Sequence, residues 1–326
     1  MKTAAIEVTD LKKRYADVEA VRGIGFSVGA GEIFGFLGPN GAGKTTTIKI
    51  LCTLLQATSG TARLAGLDVA ASPAEVRRRI GVIFQDPALD DRLTAEENLM
   101  LHAVAYRVPR PERHARIDEA LQFVDLFERR KDLTRTFSGG MKRRLEIARG
   151  LVHRPDILFL DEPTTGLDPQ TRARTWEVLR GLREKYGTTL FLTTHYMDEA
   201  ENCDRIAIVD HGLIVALDTP AALKQRVGKD QIAARTTDPA GLARLLSEKY
   251  GLTSTPADGG LTFLVPEGDA FIVKLLTAAD RPPLEGISVR RPTLDDVFLS
   301  LTGRQIRAEG AEGNAAKLRA MVRRRG

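Results

Sequence analysis

Eight residues, Gly38-Pro39-Asn40-Gly41-Ala42-Gly43-Lys44-Thr45, leave few folds open to this chain. They follow Glu32-Ile33-Phe34-Gly35-Phe36-Leu37, a near-continuous apolar run of the kind needed by a strand buried on both faces. After them Ile48, Leu51 and Leu55 recur at helical spacing. Strand, glycine-rich turn and helix open an α/β unit, and G-x-x-x-x-G-K-[ST] in that setting is a phosphate-binding loop. Its glycines let successive backbone N–H groups converge on an anion without Cβ clashes. The helix that follows, beginning with Lys44, Thr45 and Thr46, turns its positive end to the same anion. Lys44 adds a point charge, and the Thr45 hydroxyl can ligate magnesium.

The rest of the chain bounds this reading. A length of 326 residues suggests one large domain and a smaller one. No window approaches the ~18 apolar residues of a membrane span. Glu7 and Asp10 interrupt what would be the apolar core of a signal peptide. Cys52 and Cys203 are too few for a disulfide framework and fit a reducing compartment, so a cytoplasmic location is expected. Net charge is +5, but residues 304–326 hold seven basic and two acidic side chains, which accounts for all of it. A neutral body with a basic, flexible tail is not the footprint of a nucleic-acid-binding domain, and no nucleic-acid partner is expected.

Residues 1 to about 30 alternate apolar and polar positions between glycines, which predicts short antiparallel strands. From about 86 to 150 the character changes: Thr94-Ala95-Glu96-Glu97 reads as a capping box, and amphipathic helical sequence runs from Arg113 to Leu126. This predicts a helical insertion. The α/β pattern resumes at Ile157-Leu158-Phe159-Leu160, with a helix at Thr171–Tyr186 and strands at Thr188–Thr193 and Arg205–Val209. A nucleotide-binding domain over 1–220 is therefore expected. Residues 221–303 read β-α-β-β-α-β, a small α+β domain of ferredoxin-like order.

Two further motifs carry chemistry. Asp161-Glu162 ends an apolar strand, and strand ends in α/β sheets face the ligand crevice. Asp161 suits magnesium, and Glu162 could polarise a water for in-line attack on a γ-phosphate. Phe137-Ser138-Gly139-Gly140-Met141-Lys142-Arg143-Arg144 precedes a helix with Met141, Leu145 and Ala148 on one face. Ser138, Gly139 and Gly140 at a helix N-terminus form a second anion site, although Ser-Gly-Gly alone is commonly an N-cap and turn. One nucleotide needs one phosphate loop, so a second site points to two chains placed head to tail, each closing the other's nucleotide. The basic run Lys142-Arg143-Arg144, beside a phosphate site, reads as structural or dimer-facing.

In this order the motifs resemble the ATP-binding subunits of ABC transporters, densely over residues 1 to about 220. The resemblance implies an α/β P-loop NTPase (ABC ATPase) fold with an antiparallel β subdomain and a helical subdomain, using ATP and Mg2+. It also implies roles for single residues. Tyr15 in Lys13-Arg14-Tyr15 matches the aromatic that stacks on adenine. Gln85 matches the glutamine that senses magnesium and relays to the membrane partner. Asp168 in Thr165-Gly166-Leu167-Asp168 matches the loop that couples two sites across a dimer, and His195 in Thr193-Thr194-His195 matches the histidine that contacts the γ-phosphate. Taken singly, Tyr15 could be surface packing and Asp168 a cap before Pro169.

Phe137 and Met141 depart from the usual leucine and glutamine of the signature, as in daunorubicin-resistance-type exporter ATPases. The block Arg291-Pro292-Thr293-Leu294-Asp295-Asp296-Val297-Phe298-Leu299, followed by Leu301-Thr302-Gly303, resembles the end of that subfamily. By itself it predicts a short amphipathic helix capped by Thr293 or Asp295. The expected function is ATP hydrolysis that drives export through separate integral membrane permease subunits. The expected assembly is an ATP-sandwich homodimer, peripheral on the inner face of the membrane. A lipid or polysaccharide cargo, or a non-transport ATPase acting on ribosome or DNA, are the alternatives. One ATPase unit, two cysteines and no heptad run speak against the last.

Overall fold

The computed structural model describes residues 4–85, 88–257 and 259–303. They divide into two compact units, with the break between Thr219 and Pro220. The basic tail, 304–326, lies outside the described residues.

The first unit is built on two sheets. β1 (Ala4–Tyr15), β2 (Val18–Gly29), β4 (Ser59–Leu64) and β5 (Leu67–Asp68) form an antiparallel sheet in the order β2-β1-β4-β5. Short strands are expected over residues 1–30, but β1 and β2 are each 12 residues long. Register shifts such as the one between Val8 and Leu11 let them stay paired through irregular spacing. The second sheet contains β3 (Ile33–Leu37), β6 (Ile80–Ile83), β7 (Ile157–Asp161), β8 (Thr189–Thr194), β9 (Arg205–Asp210) and β10 (Leu213–Asp218), ordered β10-β9-β3-β8-β7-β6. All pairs are parallel except β9 with β10. Every residue of β3, β7 and β8 is buried, as the continuous apolar runs require. Phe26 of β2 packs on Phe34, Phe36 and Phe191 with ring centroids 5.5–5.9 Å apart, joining the two sheets in one aromatic core.

Helices connect and cover these strands. α1 (Lys44–Leu51) follows the glycine loop, and α2 (Pro73–Arg79) leads into β6. Leu55 falls outside α1, because Thr53 takes a left-handed backbone (φ 62°) and ends the helix, yet it still packs on the core. α3 (Ala95–Ala105) starts at the Thr94–Glu97 capping box, and α4 (Arg113–Phe123) and α5 (Gly139–Leu151) complete the insertion. α6 (Pro169–Tyr186) runs between β7 and β8, and α7 (Met197–Ala200) follows β8. Among the described residues no helix is long and apolar enough to cross a membrane.

The second unit holds α8 (Pro220–Val227), β11 (Asp230–Thr236), α9 (Pro239–Tyr250), β12 (Ser254–Ala257), β13 (Gly260–Val265), α10 (Gly268–Thr277), β14 (Leu284–Arg290) and α11 (Leu294–Thr302). Its sheet is antiparallel throughout in the order β12-β13-β11-β14. Ile232, Leu242, Leu246, Phe263 and Leu275 fill the core beneath it. A capping box of Thr293 and Asp296 starts α11, which lies against α8.

A stack of three rings holds the insertion to the first unit. Tyr106 lies between His102 (4.3 Å between centroids) and His153 (4.0 Å), and a ring nitrogen of His153 bonds the carbonyl of Ile80 at 2.9 Å. Burial pulls His102 down to about 3 and His153 to about 4, and one nitrogen on each ring has no partner. Below a pH of about 6.5 the unfolded chain binds protons that these folded imidazoles refuse. Their contribution is therefore complete above that pH and shrinks as pH falls toward the folded values. Urea unfolding of the wild type should lose up to ~1.4 kcal/mol per histidine per pH unit between about pH 6 and 5. His153→Gln should remove one histidine's share of that slope.

Candidate active site

The site is assembled where β3, β7 and β8 end side by side. β3 runs into the glycine loop, whose Gly38 N–H donates to the Thr194 carbonyl at the end of β8 (3.3 Å). Two loop glycines are required by space: a Cβ on Gly38 would stand 2.2 Å from the Val209 carbonyl oxygen, and one on Gly43 2.4 Å from that of Ala20. Gly43 also takes φ 100° just before α1. The first N–H groups of α1 have no intrahelical acceptor, so the loop and helix end present donors and positive potential together.

Lys44 is only 4% exposed. Its ammonium donates to the carbonyls of Gly38 (2.7 Å) and Pro39 (3.0 Å) and stands 3.6 Å from Glu162 Oε1. Burial pulls it below its ordinary value, against the opposing charges of Glu162 and Asp161. A lysine so buried, aimed across a phosphate loop at a carboxylate, is placed for an anion rather than for solvent.

β7 delivers the two acids. Asp161 pairs with Thr193 in the parallel ladder and accepts a 2.5 Å bond from the Thr193 hydroxyl. The Thr45 hydroxyl stands 3.4 Å from the same oxygen, Oδ1. Glu162 follows with a left-handed backbone (φ 49°), unusual outside glycine, and its N–H bonds the Thr193 hydroxyl (3.1 Å) and carbonyl (3.2 Å). Its Oε1 lies 3.1 Å from His195 Nδ1, and Oε2 accepts from the Thr165 hydroxyl at 3.2 Å. Burial alone would raise the Glu162 carboxyl. The His195 bond and the Lys44 charge outweigh it and keep the group below its ordinary value, so it is ionised at neutral pH.

The second anion site stands apart from the first. Ser138 caps α5 by accepting from the Met141 N–H at 3.3 Å, and Ser138 and Gly139 are exposed. Among the described residues, nothing beyond its own helix turn crowds the place of a Cβ on Gly139, whereas one on Gly140 would strike Thr171 at 2.4 Å. Thr171 is bonded to Asp168, which caps α6. The structure thus brings Gly140 beside the start of α6. Asp168, in this chain, does the work of a helix cap.

Loop lysine, threonine hydroxyl, paired carboxylates and histidine around one anion site, with a serine-glycine helix start facing outward, are the parts of a nucleotide-hydrolysing cassette. The model of the ABC transporter family matches residues 21–165. Over 309 residues the chain is 43% identical to the daunorubicin/doxorubicin resistance ATP-binding protein DrrA of Streptomyces peucetius, covering 92% of this chain and 93% of that protein. This chain belongs to the ABC transporter ATP-binding proteins. It is 40% identical to the Nod factor export ATP-binding protein I of Burkholderia orbicola, over 94% of this chain and 99% of the other. Among solved structures it is similar to the ATP-binding cassette MJ0796, dimeric in a post-hydrolysis state with ADP and Pi. That match has a TM-score of 0.59 and 27% identity, and covers 66% of this chain and 98% of that one. As a member of this family the chain is an ATPase with the α/β cassette fold that the loop predicts.

Of the remaining expected site residues, Tyr15 is exposed where β1 turns into β2, with the Lys13 ammonium 5.2 Å over its ring. Gln85 is exposed just after β6 and makes no hydrogen bond to Thr45 or Asp161 among the described residues. What holds its neighbourhood is a buried pair that the sequence does not single out. The Arg143 guanidinium (7% exposed) bonds the carbonyls of Phe84 (2.7 Å) and Pro163 (2.6 Å) and the Glu146 carboxylate (3.0 Å). Glu146 (1% exposed) in turn accepts from the Ala88 N–H at 2.8 Å. The run Lys142-Arg143-Arg144 therefore divides: Lys142 pairs with Asp91, Arg144 bonds the Val124 carbonyl, and only Arg143 is buried as a clamp. Its signal was its place one turn before Glu146 and Ile147, on the buried side of α5. Arg143→Met strands a buried carboxylate and should lower the free energy of unfolding by ~3–5 kcal/mol in urea denaturation. Arg143→Lys should recover little, because an ammonium cannot bond three carbonyl directions in one plane.

Proposed function

We propose that this ABC subunit powers the export of a drug-like or other amphiphilic compound through separate integral membrane permease subunits. It does so as an ATP-sandwich homodimer bound to the cytoplasmic face of the membrane. The observation that carries the reading is the Glu162 carboxylate, held ionised between His195 (3.1 Å) and Lys44 (3.6 Å), in a chain that aligns almost end to end with export and resistance ATP-binding proteins.

The geometry supports a role for each group. The loop N–H groups and Lys44 hold the terminal phosphates, and His195 approaches from the end of β8. Glu162 orients the attacking water and accepts its proton, which suits a reaction governed by positioning and charge more than by covalent help. The Thr45 hydroxyl and the Asp161 carboxylate are hard oxygen donors on one side of the loop, and with Gln85 they would hold magnesium. The ion would neutralise charge building on the phosphates. So small a set of protein oxygens, with no cluster of three acids, cysteines or histidines among the described residues, suits an ion that keeps waters and phosphate oxygens as its other ligands. Tyr15 stacks on the adenine, and Ser138, Gly139 and Gly140 of a second copy close the nucleotide, beside that copy's Asp168. The cassette solved as a dimer with ADP and Pi supports this pairing. Residues 86–150 carry the permease-docking surface, and 221–303 act as a separate domain that steadies the dimer.

Two experiments test the reading. Glu162→Gln should retain ATP binding, lose at least ~100-fold in turnover and accumulate as an ATP-bound dimer in size-exclusion chromatography. Turnover at the wild-type rate removes Glu162 from its role. The tagged chain should co-purify from detergent-solubilised native membranes with a stoichiometric multi-span protein. Recovery with ribosomes or DNA instead overturns the transport assignment.

A further inference from the structure

One buried hydroxyl touches both acids of the site. Thr193 is fully buried on β8, directly across the ladder from Asp161. A buried threonine hydroxyl must find partners, and within a strand its own backbone often supplies them. Here it does otherwise. The hydroxyl donates its single hydrogen to Asp161 Oδ1 at 2.5 Å and accepts the Glu162 N–H at 3.1 Å. Among the described residues both hydroxyls that reach this carboxylate, of Thr193 and Thr45, meet Oδ1, and the Thr193 bond is the shorter, so Thr193 does most to set how the carboxylate is turned.

The second bond matters for a different reason. Glu162 is in the left-handed backbone region at φ 49°, which is strained for a residue with a Cβ. That conformation turns its side chain from the strand end toward Lys44 and His195. The neighbours hold the strained residue in place, and the Thr193 hydroxyl and carbonyl together receive its N–H.

We propose that Thr193 is a positioning residue for hydrolysis: its hydroxyl, bonded to the same Asp161 oxygen that the Thr45 hydroxyl approaches, fixes the rotation of that carboxylate beside the loop, and it holds the left-handed turn that aims Glu162. The proposal rests on the ATPase reading of the site. It assigns a chemical role to the hydroxyl itself, as distinct from the methyl group, which only packs.

Valine makes this testable. It matches threonine in shape, and the Glu162 N–H keeps the Thr193 carbonyl at 3.2 Å, so Thr193→Val orphans no backbone donor. In the full-length protein, T193V should bind fluorescent ATP in EDTA as the wild type does. Its kcat should fall by about 10-fold or more while KM for ATP moves less than ~3-fold. Mn2+ binding to the ATP-loaded protein, read by electron paramagnetic resonance, should weaken at least ~5-fold. Thr193→Ser keeps the hydroxyl and should restore kcat and Mn2+ affinity to within about 3-fold of wild type. If T193V loses ATP binding in EDTA, Thr193→Ala, which is smaller and cannot clash, is read by the same criteria. Wild-type kcat and Mn2+ affinity in the valine or alanine variant overturn the proposal. So does a serine variant as impaired as valine, which would trace the effect to packing of the methyl group. A wild-type protein that bound ATP but never hydrolysed it would instead overturn the reading of the site.

Discussion

Parallel pairing of β3, β8 and β7 is the constraint on which the site depends. These strands share one register, with Phe36 beside Thr193 and Thr193 beside Asp161. Their ends therefore lie at one level, where the glycine loop, His195 and the two acids leave the sheet. Each strand is buried on both faces, so its register is fixed by packing against the phenylalanines of both sheets and cannot slip without exposing a core side. The placement of Lys44, Asp161, Glu162 and His195 around one loop follows from apolar packing.

Such a cluster is costly in a buried setting, and the structure shows how it is made tolerable. Lys44 meets two loop carbonyls and a carboxylate, and Glu162 meets an imidazole, a hydroxyl and the Lys44 ammonium. Asp161 takes a hydroxyl from each side. Opposite charges and donors around each group offset the desolvation that would otherwise neutralise it. The left-handed turn at Glu162 is strain of the sort that persists where neighbours over-determine a residue, and it lies where the chemistry occurs.

A second layer of buried polar contacts joins the site to the insertion. Arg143 reaches from α5 to the carbonyls of Phe84 and Pro163, so the helix that begins at Ser138 is tied to the segment of Gln85 and to the residue after Glu162. Glu199, almost fully buried, accepts from the Thr194 hydroxyl, and Arg172 lies 4.7 Å over the Tyr196 ring, joining the start of α6 to the turn of His195. Movement of α5 or α6 would be felt at the acids and the histidine through these bonds. Ser138 and Gly139, at the start of α5, are exposed.

The sequence by itself determined the glycine loop, the buried strands beside it and the side chains that the structure gathers around them. Each rests on local physics: glycines where backbone must approach an anion, apolar runs where both faces are covered, acids at a strand end. It also determined the Thr94 cap, since a capping box is a contact between residues three apart, and it left the start of α11 to Thr293 or Asp295, of which the structure uses Thr293. The run over residues 1–30 read as short strands because glycines and bulges break its period, and only pairing across the hairpin restores two long ones. The amphipathic stretch of the insertion did not reveal that His102, Tyr106 and His153 stack, because the last comes from beyond α5. The same holds for Arg143 and Thr193. A basic run and a β-branched strand residue look ordinary in one dimension, and apart from Glu146 the partners of Arg143 and Thr193 lie far along the chain, up to 59 residues away. What only tertiary structure decided was which hydroxyl and which guanidinium hold the acids, because those bonds form between chain segments that only the folded sheet brings into register.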